Sequence, residues 1–161
     1  MKWCALVILS LANCAAQGEP ESVCELLKHG DVSKGKIVEL RGILVMADEF
    51  WSIRSSVKCK ETDAELEEIL IEFPATERDR NRVDLSNIDR SRVDRVMARI
   101  TELRRSARSK KIVITAIGTF ESLGGKCSAT HGVVFSKGFG HLGSFCHRII
   151  IQSLASPELA K

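Results

Sequence analysis

From Ile37 the chain alternates apolar and polar side chains as Ile37-Val38-Glu39-Leu40-Arg41, meets Gly42, and continues as the apolar run Ile43-Leu44-Val45-Met46-Ala47. A period of two with β-branched residues predicts a strand over 37–47, and a glycine inside it predicts a bulge or coil that lets one long strand serve two sides of a small barrel. Phe50-Trp51-Ser52-Ile53-Arg54-Ser55 reads as a second strand after the turn at Asp48-Glu49, and Ile69-Leu70-Ile71-Glu72-Phe73, ending before Pro74, as a third. Between Ser91 and Ala107 the period changes. Val93, Val96, Met97, Ile100 and Leu103 recur at steps of three and four, the apolar face of an amphipathic helix, with Arg92, Arg95, Arg99, Arg104 and Arg105 on the other face. Ile112 to Phe120 is the clearest strand, again with a late glycine, Gly118, and Arg148 to Leu154 is the last. Ahead of them all, Ser22-Val23-Cys24-Glu25 has the form of a capping box, and the short helix it starts is expected to stop at Gly30, with a turn over 31–36. Pro157 to Lys161 reads as a loose tail.

Apart from the short first helix, the order is three strands, a helix and two strands, with glycine in the first and fourth strands. This α+β, mostly β string matches an OB-fold, a five-stranded barrel whose helix lies between strands three and four and plugs an open end. An α+β sandwich with an open antiparallel sheet would accommodate the same order.

The first residues add a compartment. Lys2, an apolar run from Ala5 to Ala12, small Ala15-Ala16 and polar Gln17 onward follow the order of a secretory signal over 1–16, leaving 17–161 as a single domain. A buried N-terminal segment is the bland alternative. The run is too short for the roughly 20 residues of a membrane span. Leu11-Ala12-Asn13-Cys14 also resembles a lipobox, which would put a lipid anchor on Cys14, although Asn13 departs from the small residue that the pattern wants. The expected location is secreted or periplasmic.

Of six cysteines, Cys4 and Cys14 fall in the leader, so Cys24, Cys59, Cys127 and Cys146 are available for disulfides. Of the three possible pairings, Cys24 with Cys59 and Cys127 with Cys146 joins neighbouring segments, the second closing the glycine-rich stretch before the last strand. The rival is a metal site from Cys127, His131, His141, Cys146 and His147; no C-x-x-C or H-x-x-x-H spacing supports it, and no cofactor or metal is expected.

Charge is uneven. Arg78 to Lys111 holds 12 basic and 5 acidic residues, whereas Glu61 to Glu72 holds six acids and no base. Such a basic face could meet an anionic polymer or a membrane surface. The whole chain carries only +3, has no Tyr, and does not interleave its aromatics with the arginines, which argues against nucleic acid. The bland reading is a solvated helix neutralised by the acidic stretch. No G-x-S-x-G elbow occurs, and the carboxylates cluster on segments that read as exposed rather than as isolated acids in apolar strands.

Gly138-Phe139-Gly140-His141-Leu142-Gly143 fits a dinucleotide-loop string, but it runs into a strand where that fingerprint needs a helix N-terminus. A structural loop is the preferred reading, with Phe139 and Leu142 plugging the barrel mouth. Together with Gly35-Lys36-Ile37-Val38-Glu39-Leu40-Arg41-Gly42 and Val23 to Leu27, this segment resembles a group of exported bacterial proteins of unassigned activity. The resemblance implies export and an OB-like barrel, and it carries over no catalytic residue. His141, Phe139 and Arg148 are the candidate binding residues of a non-catalytic module with an unknown ligand or protein partner. The alternative from another class is a metal-dependent or hydrolytic enzyme built on His131, His141, His147 and Cys127.

Overall fold

The computed structural model describes residues 20–59, 68–73, 88–107, 109–123, 138–140 and 145–160. Its elements are β1 (Glu21–Ser22), α1 (Val23–Lys28), α2 (Gly30–Ser33), β2 (Ile37–Met46), β3 (Trp51–Arg54), β4 (Glu68–Glu72), α3 (Arg90–Ser106), β5 (Ile112–Ser122), β6 (His147–Leu154) and β7 (Glu158–Leu159). The strands close on themselves. β2 pairs with β3 and β3 with β4, all antiparallel; β4 pairs with β6 in parallel; and β6 returns antiparallel through β5 to β2. This closed, mixed five-stranded barrel has the OB-like order that the sequence predicts, and closure leaves no long unpaired edge among the described residues.

Gly42 allows β2 to serve two neighbours. Ile37 to Ile43 pair with β5, and Ile43 to Met46 pair with β3, so the strand changes partner at the glycine. A Cβ built on Gly42 would lie 2.4 Å from Ile53 Cγ2 and 2.7 Å from the Arg54 carbonyl oxygen. The second glycine marks the irregularity on the other side. The register of β5 and β6 passes from Ile117↔Ser153 to Gly118↔Ile151, which leaves Gln152 bulged out of the ladder. The Gln152 carbonyl accepts from Asp89 N at 3.1 Å, so the bulge ties the start of α3 to the barrel wall.

Inside, Val38, Leu40, Leu44, Ile53, Ile69, Ile71, Ile114, Phe120, Ile149 and Ile151 form the core, and α3 closes it with Val96, Ile100 and Leu103. The helix is capped by Asp89, whose Oδ1 accepts from Arg92 N at 2.9 Å and from Ser91 Oγ at 3.0 Å. Those two bonds, the backbone one first, hold its carboxyl below the usual range. Ser22 caps α1, its Oγ accepting from Glu25 N as the capping-box reading requires.

Three expectations need correction. The helical segment does not stop at Gly30: Gly30 to Ser33 form a further helical turn, and the expected turn is confined to residues 34–36, with Gly35 at φ 76°. The expected loose tail is tied down. Glu158 and Leu159 pair with Val113 and Ile112, Ala160 N donates to the Lys111 carbonyl, and Glu158 accepts from Arg41 at 2.8 Å. Phe139 does not plug the barrel mouth: it lies on the outer face of the wall, as described below.

The Cys24–Cys59 disulfide is present, with a Cα–Cα distance of 5.4 Å, and fastens α1 to the segment following β3. Cys146 is also disulfide-bonded; its expected partner Cys127 lies outside the described residues, as do the proposed leader and Cys14. Among the described residues no helix is long and apolar enough to cross a membrane.

Candidate functional site

Alternation along β6 sorts its side chains into two environments. Ile149 and Ile151 point into the core, so Arg148 and Ile150 face outward, where Leu70 of β4 lies opposite Arg148 in the ladder. Arg148 is nonetheless buried. Its Nε donates to Glu121 Oε2 of β5 at 2.7 Å, a second nitrogen pairs with the same carboxylate, and Nη1 donates to Glu72 of β4. The acids come one from each neighbouring strand: Glu121 lies directly opposite Arg148, and Glu72 lies two residues along β4, opposite Ile150. Over the guanidinium lies the Phe139 ring, with the Arg148 Cζ 4.6 Å from its centroid.

The Gly138-Phe139-Gly140 segment is joined by backbone to Phe145, two residues ahead of β6. Phe139 N donates to the Phe145 carbonyl at 2.8 Å, and Phe145 N to the Phe139 carbonyl at 3.2 Å. Gly140, at φ 74°, sits where a Cβ would lie 3.2 Å from Leu70 and 3.3 Å from Phe145, so both its conformation and its closeness call for glycine. Phe145 in turn packs edge-on against Phe50, with centroids 5.0 Å apart. Burial alone would depress the Arg148 pKa, but the hydrogen bonds and charges of Glu121 and Glu72 outweigh it and raise the value further. Arg148 is a locked cation that fastens the glycine-rich segment to the barrel, with its donors spent on protein carboxylates.

Of the three candidate binding residues, the structure brings Phe139 and Arg148 into contact; His141 lies outside the described residues. Glu72 and Glu121 were missed. They correct the reading that the carboxylates sit apart from apolar strands, since Glu72 ends β4 and Glu121 is the last but one residue of β5, both beside a buried arginine. Glu68 behaves similarly, accepting from buried Ser52 Oγ at 2.6 Å and pairing with Arg54. In the acidic stretch, Glu68 and Glu72 therefore neutralise barrel arginines and not those of the helix.

His147, one residue before Arg148, points to the opposite face. Its ring stacks on Phe120 with centroids 5.8 Å apart and planes 10° from parallel, near Gly30 and Ser122. Its Nδ1 is buried and has no hydrogen-bond partner among the described residues. Desolvation lowers its pKa from 6.5, against a smaller opposing pull from Asp31. A base with a lowered folded pKa takes up fewer protons than the unfolded chain, so it destabilises the fold as pH falls from 6.5 to the folded value, and the loss then levels off. Denaturant titrations at pH 7.5 and pH 5 should show wild-type stability dropping more than that of His147→Gln; equal drops would mean that His147 is not the group responsible.

The arginine face of α3 is arranged differently from the Arg148 cluster. A groove of about 490 Å³ runs along it, lined by Asp89, Arg92, Arg95, Val96 and Arg99 and, on its other wall, by Ser156 and Pro157. Arg95 donates to the Ser91 hydroxyl at 3.2 Å, and Arg99 pairs with Glu102 on the same helix. Among the described residues no group of three or more histidines, cysteines or acids is placed to hold a metal ion. Comparison with protein-family models, curated proteins and solved structures finds no match to this chain.

Proposed function

We propose that the protein is an exported, non-catalytic interaction module, in which a disulfide-pinned OB-like barrel presents surface instead of a reaction centre. The observation that carries this reading is the Glu121–Arg148–Glu72 cluster beneath Phe139. The most chemically conspicuous side chains of the barrel wall are engaged with one another, and they fix a segment in place. The bonded state of Cys146 points the same way, because a cysteine in a disulfide cannot supply the thiolate of a metal centre. Disulfides and the leader-like first 16 residues together support an oxidising destination.

Protein recovered from the exterior of a secreting host should begin at Gln17, contain two disulfides that include Cys24–Cys59, and hold no stoichiometric metal by elemental analysis. Free Cys127 and Cys146 thiols with one zinc per chain would instead establish the metal-enzyme alternative on His131, His141 and His147. An acylated Cys14 as first residue would keep the module and change only its tether.

A further inference from the structure

Resting on the interaction-module reading, we propose that the groove beside α3 binds an anionic polysaccharide through Arg92, Arg95 and Arg99. At 3.6 residues per turn, positions 92, 95 and 99 fall within about 60° of arc, and at 1.5 Å per residue they span about 10 Å along the axis. They therefore form a row of guanidinium groups along one side of a groove of about 490 Å³, a size that suits a short stretch of polymer.

The charges are available, in contrast to that of Arg148. Arg92 has no side-chain hydrogen bond or ion pair of its own among the described residues, Arg95 bonds a neutral hydroxyl, and the Arg99–Glu102 pair is exposed on both sides. An exposed pair within one helix contributes little and can be exchanged for a ligand anion. The one acid among the described lining residues, Asp89, faces the helix backbone as the cap of Arg92 N, and the three arginines there outnumber it by two. Guanidinium groups bind sulfate and carboxylate oxygens in bidentate fashion.

The walls select among polyanions. Among the described residues no aromatic side chain lines the groove to offer a stacking platform for nucleobases. Pro157 supplies a small apolar surface suited to the face of a sugar ring. A lipid surface is a poorer fit, because the apolar face of α3 is spent on the barrel core through Val96, Ile100 and Leu103 and cannot insert into a bilayer.

The test is fluorescence anisotropy of the full mature chain with a labelled heparin octasaccharide at low salt. Wild type should bind, and Arg92→Ala/Arg95→Ala should weaken binding about tenfold or more, each lost charged hydrogen bond costing on that scale. Arg104→Ala/Arg105→Ala removes the same charge from the same helix outside the groove and should change the affinity far less. Both variants alter exposed side chains, and unchanged circular dichroism and thermal midpoints will show that they fold. The site is overturned if wild type ignores the octasaccharide, if the Arg104/Arg105 variant loses as much, or if an oligothymidylate or phosphatidylserine vesicles bind more tightly than the sugar. A disulfide-bonded, metal-free protein that fails these binding tests would sink this site and leave the module reading standing.

Discussion

Gly118→Ala should cost at least as much as any other single-methyl insertion in this barrel. The added Cβ would sit 2.2 Å from the Ile150 carbonyl oxygen and 2.9 Å from its carbon. Both are backbone atoms of the adjacent strand, so no side-chain rotation can relieve the clash; β5 and β6 must separate at the irregularity where Gly118 pairs with Ile151. Overpacking that must move backbone belongs at or above the ~3 kcal/mol end of the usual range. For a domain of this size that is a fall of roughly 10 °C in thermal midpoint. Gly42→Ala should cost less, because its closest clash is with the Ile53 side chain, although the Arg54 carbonyl at 2.7 Å limits the relief. Gly35→Ala has open space around it, and only its left-handed φ of 76° resists, a penalty of about 1 kcal/mol. Thermal melts with disulfides intact should rank the three in that order. A Gly118→Ala protein that melts with wild type would mean that the strands are not in this register.

Those glycines also show why the barrel was legible from the chain. A strand that must curve and change partners needs a residue without a side chain where its neighbours close in, and Gly42 and Gly118 stand out inside otherwise apolar runs. Alternation before Gly42 and the steps of three and four from Val93 to Leu103 record which face each element buries, so β2 and α3 fall within a residue of the expected bounds. What escaped has no local period. β1 and β7 are two residues each, too short for alternation, and exist only because Leu40-Arg41 and Ile112-Val113 offer open backbone. The outward placement of Phe139 and Gly140 depends on Arg148 and Phe145 beside the first and Leu70 beside the second, which come together only after the barrel closes. Glu72 and Glu121 lie 76 and 27 residues from Arg148, and only the parallel β4–β6 and antiparallel β5–β6 registers make them its neighbours. An arginine beginning an isoleucine-rich strand was the available hint that two acids must lie nearby.

Arg148→Met should destabilise the protein by about 3 kcal/mol, because methionine fills much of the volume but leaves Glu72 and Glu121 facing each other without their shared cation. The Arg148 side chain is only 8% exposed, whereas the carboxylates retain 32% and 20%, so water partly screens what remains and keeps the loss from the top of the range for broken buried pairs. If charge is the cause, Arg148→Met/Glu72→Gln/Glu121→Gln should recover much of the stability, since replacing a whole buried ionic cluster by uncharged groups is often nearly neutral. If packing under Phe139 is the cause, the triple variant should be as weak as the single one. A second readout separates the latch from general stability. With the cation gone, Phe139 loses its partner at 4.6 Å, and amide exchange at Phe139 and Phe145, whose backbone bonds join the segment to itself, should quicken before the amides of β5 do. Uniform quickening throughout the barrel would assign Arg148 to the core fold alone, whereas protection lost first at those two phenylalanines makes it the clasp of the glycine-rich segment.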